Sequence, residues 1–218
     1  DQPDVYFIGN DGLFDRPFVY GPPGADYPDS LTRFAFFCAS VLHACRTISM
    51  PVDCFHCHDW HAALLPVYLR ERYRDVFPGA TTVLTIHNLA HQGIASAASF
   101  WSLGLPDSWW SIDGLEFYGA TNPLKAGILT ADRITTVSRH YAEEILTEEF
   151  GCGLQGVLAK RRDALTGIRN GLDYRLWNPR FDRHIRARYA SPAGKRVNRE
   201  SLTRALNLDT RAAGPLFG

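Results

Sequence analysis

Short apolar, β-branched runs alternate with stretches of helical periodicity along most of the 218 residues, and nothing else constrains the fold as strongly. "VYFI" (residues 5–8) predicts a strand, followed by a turn at "GNDG" (9–12). Asp29 predicts the N-cap of a helix whose apolar stripe is Leu31, Phe34, Cys38, Val41, Leu42 and Cys45. "VDCFHC" (52–57) predicts the next strand, with Asp59 capping a helix from Trp60 to about Tyr73. "TTVLTI" (81–86) is a β-branched strand that ends in the loop "HNLAHQG" (87–93). An aromatic-rich stretch with Trp101, Trp109 and Trp110 has a looser pattern. "PLKAGILTA" (123–131) then predicts a helix with Pro123 in its first turn, and "RITTV" (133–137) a strand. Ser138 caps the next helix, "ALTGI" (164–168) is the last full strand, and a polar, Arg-rich tail holds a helix from about Lys195 to Leu206.

Strand and helix in this order imply an α/β, Rossmann-like, mostly parallel sheet with helices on both faces. Ligands of such sheets bind beyond the carboxyl ends of the strands. Here those ends read His58-Asp59-Trp60-His61, His87-Asn88, Ser138 and Asn170-Gly171, so the chemically able groups gather at one edge.

"DCFHCHDWHAALL" (53–65) complicates that picture, because Cys54, Cys57 and His58 spell C-x-x-C-H, a haem-attachment pattern that is also half a zinc site. Haem attachment needs an oxidising compartment, whereas five cysteines, odd in number and unevenly placed, point to reduced thiols. The only methionine, Met50, lies too near Cys54 to ligate the far side of a haem. Zinc would need two further ligands from distant segments. On the strand reading, Cys54 and Cys57 belong to the strand body and His58 and Asp59 to its exit. Basic and acidic residues balance at 23 each, which gives no field favouring nucleic acid. No apolar run approaches the roughly 20 residues that cross a bilayer.

His87, beside Asn88 and a loop with Gln92 and Gly93, suits hydrogen bonding to a polyhydroxy ligand. Asp59 serves equally as a helix cap, Trp60 as a core aromatic or a sugar-stacking surface, and Asn170-Gly171 as a turn. His91, His140 and His184 read as structural or solvated, and Glu143, Glu144, Glu148 and Glu149 as a solvated helix end. No glycine loop of the phosphate-cradling kind occurs.

"VDCFHCHDWHAALLPVYL", "TVLTIHNLAHQG", "LKAGILTADRITTVSRHYAEEI" and "GIRNGLDYRLWNP" resemble, in order and spacing, the bacterial glycogen synthases and plant starch synthases. "FDRPFVYG" and "YPDSLTRFAFF" fit as well. The resemblance implies an incomplete N-terminal domain of a GT-B fold: residues 1–180 as the acceptor-side domain, 181–213 as a linker with a helix, and 214–218 as the start of the donor domain. It implies metal-independent, cofactor-free, retaining transfer of glucose from ADP-glucose to the non-reducing end of an α-1,4-glucan, with no nucleic-acid or membrane partner. It places the protein in the bacterial cytoplasm, or in a plastid for a plant source. It makes His87 the catalytic-site histidine and puts Asp59, Trp60, Asn88, Asn170 and Tyr20 against the substrates, and Gln92 and Gly93 of the His87 loop are expected to bind substrate with them. The family's donor-phosphate loop and donor domain have no counterpart in these residues, which implies that the chain alone is inactive. Departures are His91 where an aromatic is common, Arg139-His140 for Pro-Thr, and Arg169 for an aliphatic residue. The alternatives are a non-catalytic glucan-binding module and a metal- or haem-binding redox protein using Cys54, Cys57 and His58.

Overall fold

The computed structural model describes residues 3–208 and 214–216. The chain divides into two compact units, Asp1–Arg169 and Asn170–Gly218.

The first unit is built on a four-stranded, wholly parallel sheet of β1 (Cys54–His58), β2 (Thr81–Ile86), β6 (Arg133–Thr136) and β7 (Leu165–Gly167), in the order β1-β2-β6-β7. A smaller antiparallel sheet of two-residue strands, β3 (Ala95–Ser96), β4 (Glu116–Phe117) and β5 (Ala120–Thr121), occupies the aromatic-rich stretch. Alternation along β1 sends Phe55 and Cys57 into the core and leaves Cys54, His56 and His58 exposed. Leu84, Ile86 and Ile134 are fully buried on the neighbouring strands.

Helix α2 (Ser30–Thr47) buries Leu31, Ala35, Cys38 and Leu42, and Phe34, Val41 and Cys45 pack on the same core, as the stripe predicts. Each such large side chain contributes about 1.5–3 kcal/mol when removed from water. The expected cap does not form. The Asp29 carboxylate turns instead to Arg16, accepting from Nη1 at 2.7 Å and from Nη2 at 2.6 Å. A bidentate pair with a cationic guanidinium competes well with a single cap bond from a backbone N–H.

Two further expectations need correction. Residues 5–8 form no strand, and Val5 and Phe7 are exposed; β1 bonds only to β2 among the described residues, so this run has no ladder partner. The expected turn after it is a short helix, α1 (Asp11–Phe14), whose cap Asn10 accepts from the Leu13 N–H. The single helix expected from Trp60 breaks into α3 (Asp59–Ala62), α4 (Leu64–Tyr68) and a π-helical turn at Leu69–Tyr73. Pro66 has no N–H to bond the carbonyl a turn earlier, which explains a break near Ala63.

Helix α5 (Pro123–Thr130) forms as the sequence suggests, with the Asn122 side chain accepting from the Lys125 N–H at 2.9 Å. It is buried almost throughout. Gly127 meets Ala63 so closely that an added Cβ would lie 2.7 Å from the Ala63 Cβ. Helix α6 (Arg139–Glu144) is capped by Ser138, and α7 (Gln155–Lys160) completes the unit.

The second unit contains α8 (Lys195–Ala205). Asn198 ties its first turns to the preceding loop, donating to the Ala187 carbonyl and accepting from the Ala187 N–H. Of the strand start expected at 214–218, residues 217–218 lie outside the described residues and 214–216 form no strand.

Candidate functional site

Parallel register sets His58 opposite Thr85, so β1 and β2 release their chains side by side. Asp59 follows His58 in the left-handed region, at φ 56°, a conformation that aspartate tolerates better than most side chains. That turn does not cap α3. It aims the carboxylate across at the second exit, where Asp59 Oδ1 accepts from the His87 N–H at 2.8 Å. A strained backbone and a cross-strand bond thus fix the two strand ends to one another.

The loop after β2 is held at almost every residue. Asn88 Oδ1 accepts from the Ala90 N–H, and the Leu89 N–H donates to the Tyr141 hydroxyl at 3.1 Å. Gln92 is buried, its amide donating to the Cys152 carbonyl and accepting from Asn122 Nδ2 at 2.7 Å. Both ends of that amide are engaged within the protein, so Gln92 shapes the loop. Gly93, at φ 68°, lies flat against Trp60; a Cβ there would fall 2.2 Å from the indole.

A cavity of about 300 Å³ opens beside this rim, walled by Tyr20, Asp26, Asp59, Trp60, His61, Asn88 and His91. A second, of about 480 Å³, shares Asp26, Trp60 and His91 and extends along residues 90–96. Both volumes are in the range of small-molecule sites. Trp60 is itself buried, edge-on to Phe34 at 4.8 Å and stacked near His61 at 4.2 Å. It is therefore both a core aromatic and a cavity wall. Tyr20 lies 5.1 Å from the His61 ring. Burial pushes the His61 imidazole below its ordinary range, against the opposing pull of Asp59. A neutral ring, two carboxylates, an amide and aromatic walls make a surface suited to hydroxyl groups and sugar faces.

His87 is exposed and stands on the rim just outside the cavity. Its Nε2 lies 3.0 Å from His58 Nδ1. His56 stacks behind His58 at 4.3 Å, and His56 Nε2, Thr85 Oγ1 and Thr135 Oγ1 continue a polar line across the sheet at 2.7 and 2.6 Å. Burial, then His56 and His87, hold the His58 ring below its ordinary range.

The structure thus brings Asp59, Trp60, Asn88, His87, Gln92, Gly93 and Tyr20 to one edge. Asn170 opens the second unit as an exposed residue. Sequence reasoning set His58 and His61 at the strand exit without giving either a role, read His91 as structural or solvated, and did not single out Asp26. For His58 and His61 a signal existed, since both flank Asp59-Trp60 at a strand exit. Cys54 and Cys57 face opposite sides of β1, one exposed and one buried, so the C-x-x-C-H letters do not present both thiols to one ligand. No described helix is long and apolar enough to cross a membrane.

Residues 1–160 match the family described as the starch synthase catalytic domain. The chain is similar to glycogen synthase 2 of Geobacter metallireducens, 48% identical over 98% of this chain and 45% of that protein. It is also similar to the glycogen synthase of Opitutus terrae, 47% identical with the same coverage. Among solved structures, the catalytic domain of starch synthase IV from Arabidopsis thaliana, bound to ADP and acarbose, superposes with a TM-score of 0.73 at 30% identity. That match covers 87% of this chain and 40% of the other. The chain spans about 45% of the length of these curated relatives.

Proposed function

The chain belongs to the starch synthase catalytic domain family, and from that premise we propose that it supplies the acceptor-side part of a glucosyltransferase that lengthens α-1,4-glucans. In the proposed reaction the bond from C1 of glucose to the ADP phosphate breaks, and a bond from C1 to the non-reducing-end hydroxyl of the glucan forms with retention. The hydroxyl proton passes to the departing phosphate, and ADP leaves. Neither a metal nor a cofactor takes part. The setting is the bacterial cytoplasm, where the thiols stay reduced.

The observation that carries this reading is the Asp59–His87 bond, which joins two strand exits around a cavity walled by Trp60, Asn88 and Tyr20. Asp59 has one oxygen committed to the His87 backbone and acts by positioning. Fixed dipoles at the rim favour the oxocarbenium-like charge of such a transfer because they need no reorganisation. The ADP and acarbose bound to the Arabidopsis neighbour support a nucleotide and an oligosaccharide as the ligand classes.

The test is glucan extension from ADP-glucose by the polypeptide that carries both this chain and a donor domain, with and without chelator. Turnover is expected in both conditions and is expected to fall by orders of magnitude in His87→Ala. The 218 residues alone are expected to be inactive, because positioning both substrates supplies much of the rate. Glucan binding without turnover in the longer polypeptide would instead mark a binding module.

A further inference from the structure

Of the strand-exit histidines, His58 is the one the transfer chemistry leaves without a task. Its position follows from the sheet. β1 and β2 are in parallel register with His58 opposite Thr85, and His87 lies two residues further on, which returns it to the side of the sheet that carries His58. The rings sit 5.3 Å apart and 34° from parallel, with His58 Nδ1 and His87 Nε2 at 3.0 Å.

Two imidazole nitrogens at that distance form a hydrogen bond only if one carries a proton and the other a lone pair. A neutral imidazole has one nitrogen of each kind. Whatever role Nε2 of His87 takes towards His58, Nδ1 must take the opposite role. We propose that His58 is a positioning residue that fixes the tautomer and ring orientation of His87, and so decides whether His87 offers a donor or an acceptor to a ligand hydroxyl. The inference rests on the reading of His87 as the sugar-facing histidine.

The surroundings favour a lasting pair. His58 is faced by His56 on its own strand, by Asp59 next in the chain and by His87 from the β2 exit; His56 is in turn held by Thr85. Burial and the two histidines disfavour charge on His58, which keeps one of its ring nitrogens a lone-pair acceptor. The His87 main chain is separately fixed by Asp59, which leaves the ring as the remaining freedom. A net bond of ordinary strength favours the complementary pairs of tautomers, one donor facing one acceptor, over the mismatched pairs by roughly fivefold.

The experiment is nitrogen NMR on the 218-residue chain with 15N-labelled histidine, near neutral pH. In wild type, His87 is expected to show one protonated-type and one bare-type ring nitrogen, with a scalar coupling across the bridge to His58 Nδ1. In His58→Ala, the two His87 nitrogens are expected to drift towards a common average, and His58→Gln, which keeps an amide in reach, is expected to restore part of the separation. Averaged His87 nitrogens in wild type, or signals unchanged in a folded His58→Ala, would overturn the proposal. If His58→Ala does not fold, the wild-type coupling decides: its presence supports the pair, and its absence with sharp signals refutes it. Failure of the glucosyltransferase reading would leave these signals in place, so the two failures are distinguishable.

Discussion

Gly93 is where the fold and the site depend on one missing atom. Its φ of 68° is in the left-handed region, and a Cβ would sit 2.2 Å from one indole carbon of Trp60 and 2.5 Å from another. Gly93→Ala therefore has two costs. The backbone cost of an L-residue at positive φ is about 1–2 kcal/mol. Relieving the clash forces Trp60 against Phe34 and His61, an overpacking cost of about 1–3 kcal/mol. Gly119 provides the control, because it has φ 78° and nothing within 4 Å of its ideal Cβ. Gly119→Ala should show the backbone cost alone. Urea unfolding followed by circular dichroism is the assay, and Gly93→Ala is expected to lose about 1–3 kcal/mol more than Gly119→Ala. Equal losses would mean that Trp60 is not wedged as described, and the rigid cavity wall would go with it.

Asp59→Ala removes the acceptor of the His87 N–H and leaves alanine at φ 56°, for an expected loss of about 1–2 kcal/mol and faster hydrogen exchange at the His87 amide; Asp59→Asn keeps both features and should lose less than about 1 kcal/mol. The thiols should sort by burial. Cys57 is pushed up to about 12 and Cys38 is raised as well, both chiefly by desolvation, so iodoacetamide in native buffer should label Cys54 and Cys152 and spare Cys38 and Cys57 by mass spectrometry. Asp29 is held below its ordinary value of about 3.9, first by its hydrogen bond from Arg16. A depressed folded value means stability that is present above the unfolded pKa and lost as pH falls through the folded one. Asp29→Asn should therefore lose less stability than wild type between about pH 5 and pH 2, read from urea midpoints at each pH.

The parts of the fold legible in the sequence are those in which local chemistry and tertiary context agree. "TTVLTI" is β-branched and buried, and β2 spans the same residues, Thr81–Ile86. Asn122-Pro123 begins α5 and Ser138 caps α6 by the local rules for helix starts. What stayed hidden depends on partners far along the chain. Residues 5–8 have strand chemistry without a neighbouring ladder, and Asp29 has cap chemistry but a stronger partner in Arg16. β3, β4 and β5 are two residues each, too short to leave a period. At the site, the gathering of polar groups at strand exits followed from α/β topology alone. The bond from Asp59 to His87 and the pairing of His58 with His87 did not, since both depend on the register of β1 against β2, which no local pattern records.

The cavity beside Asp59 and Trp60 as a seat for carbohydrate is tested most directly by titrating a maltooligosaccharide onto the 218-residue chain while following the Trp60 indole N–H by NMR. A saturable shift of that signal, weakened in Asn88→Ala and in Gly93→Ala, is the predicted result. A Trp60 signal that stays fixed while other residues report binding, or that moves identically in all three proteins, would contradict it.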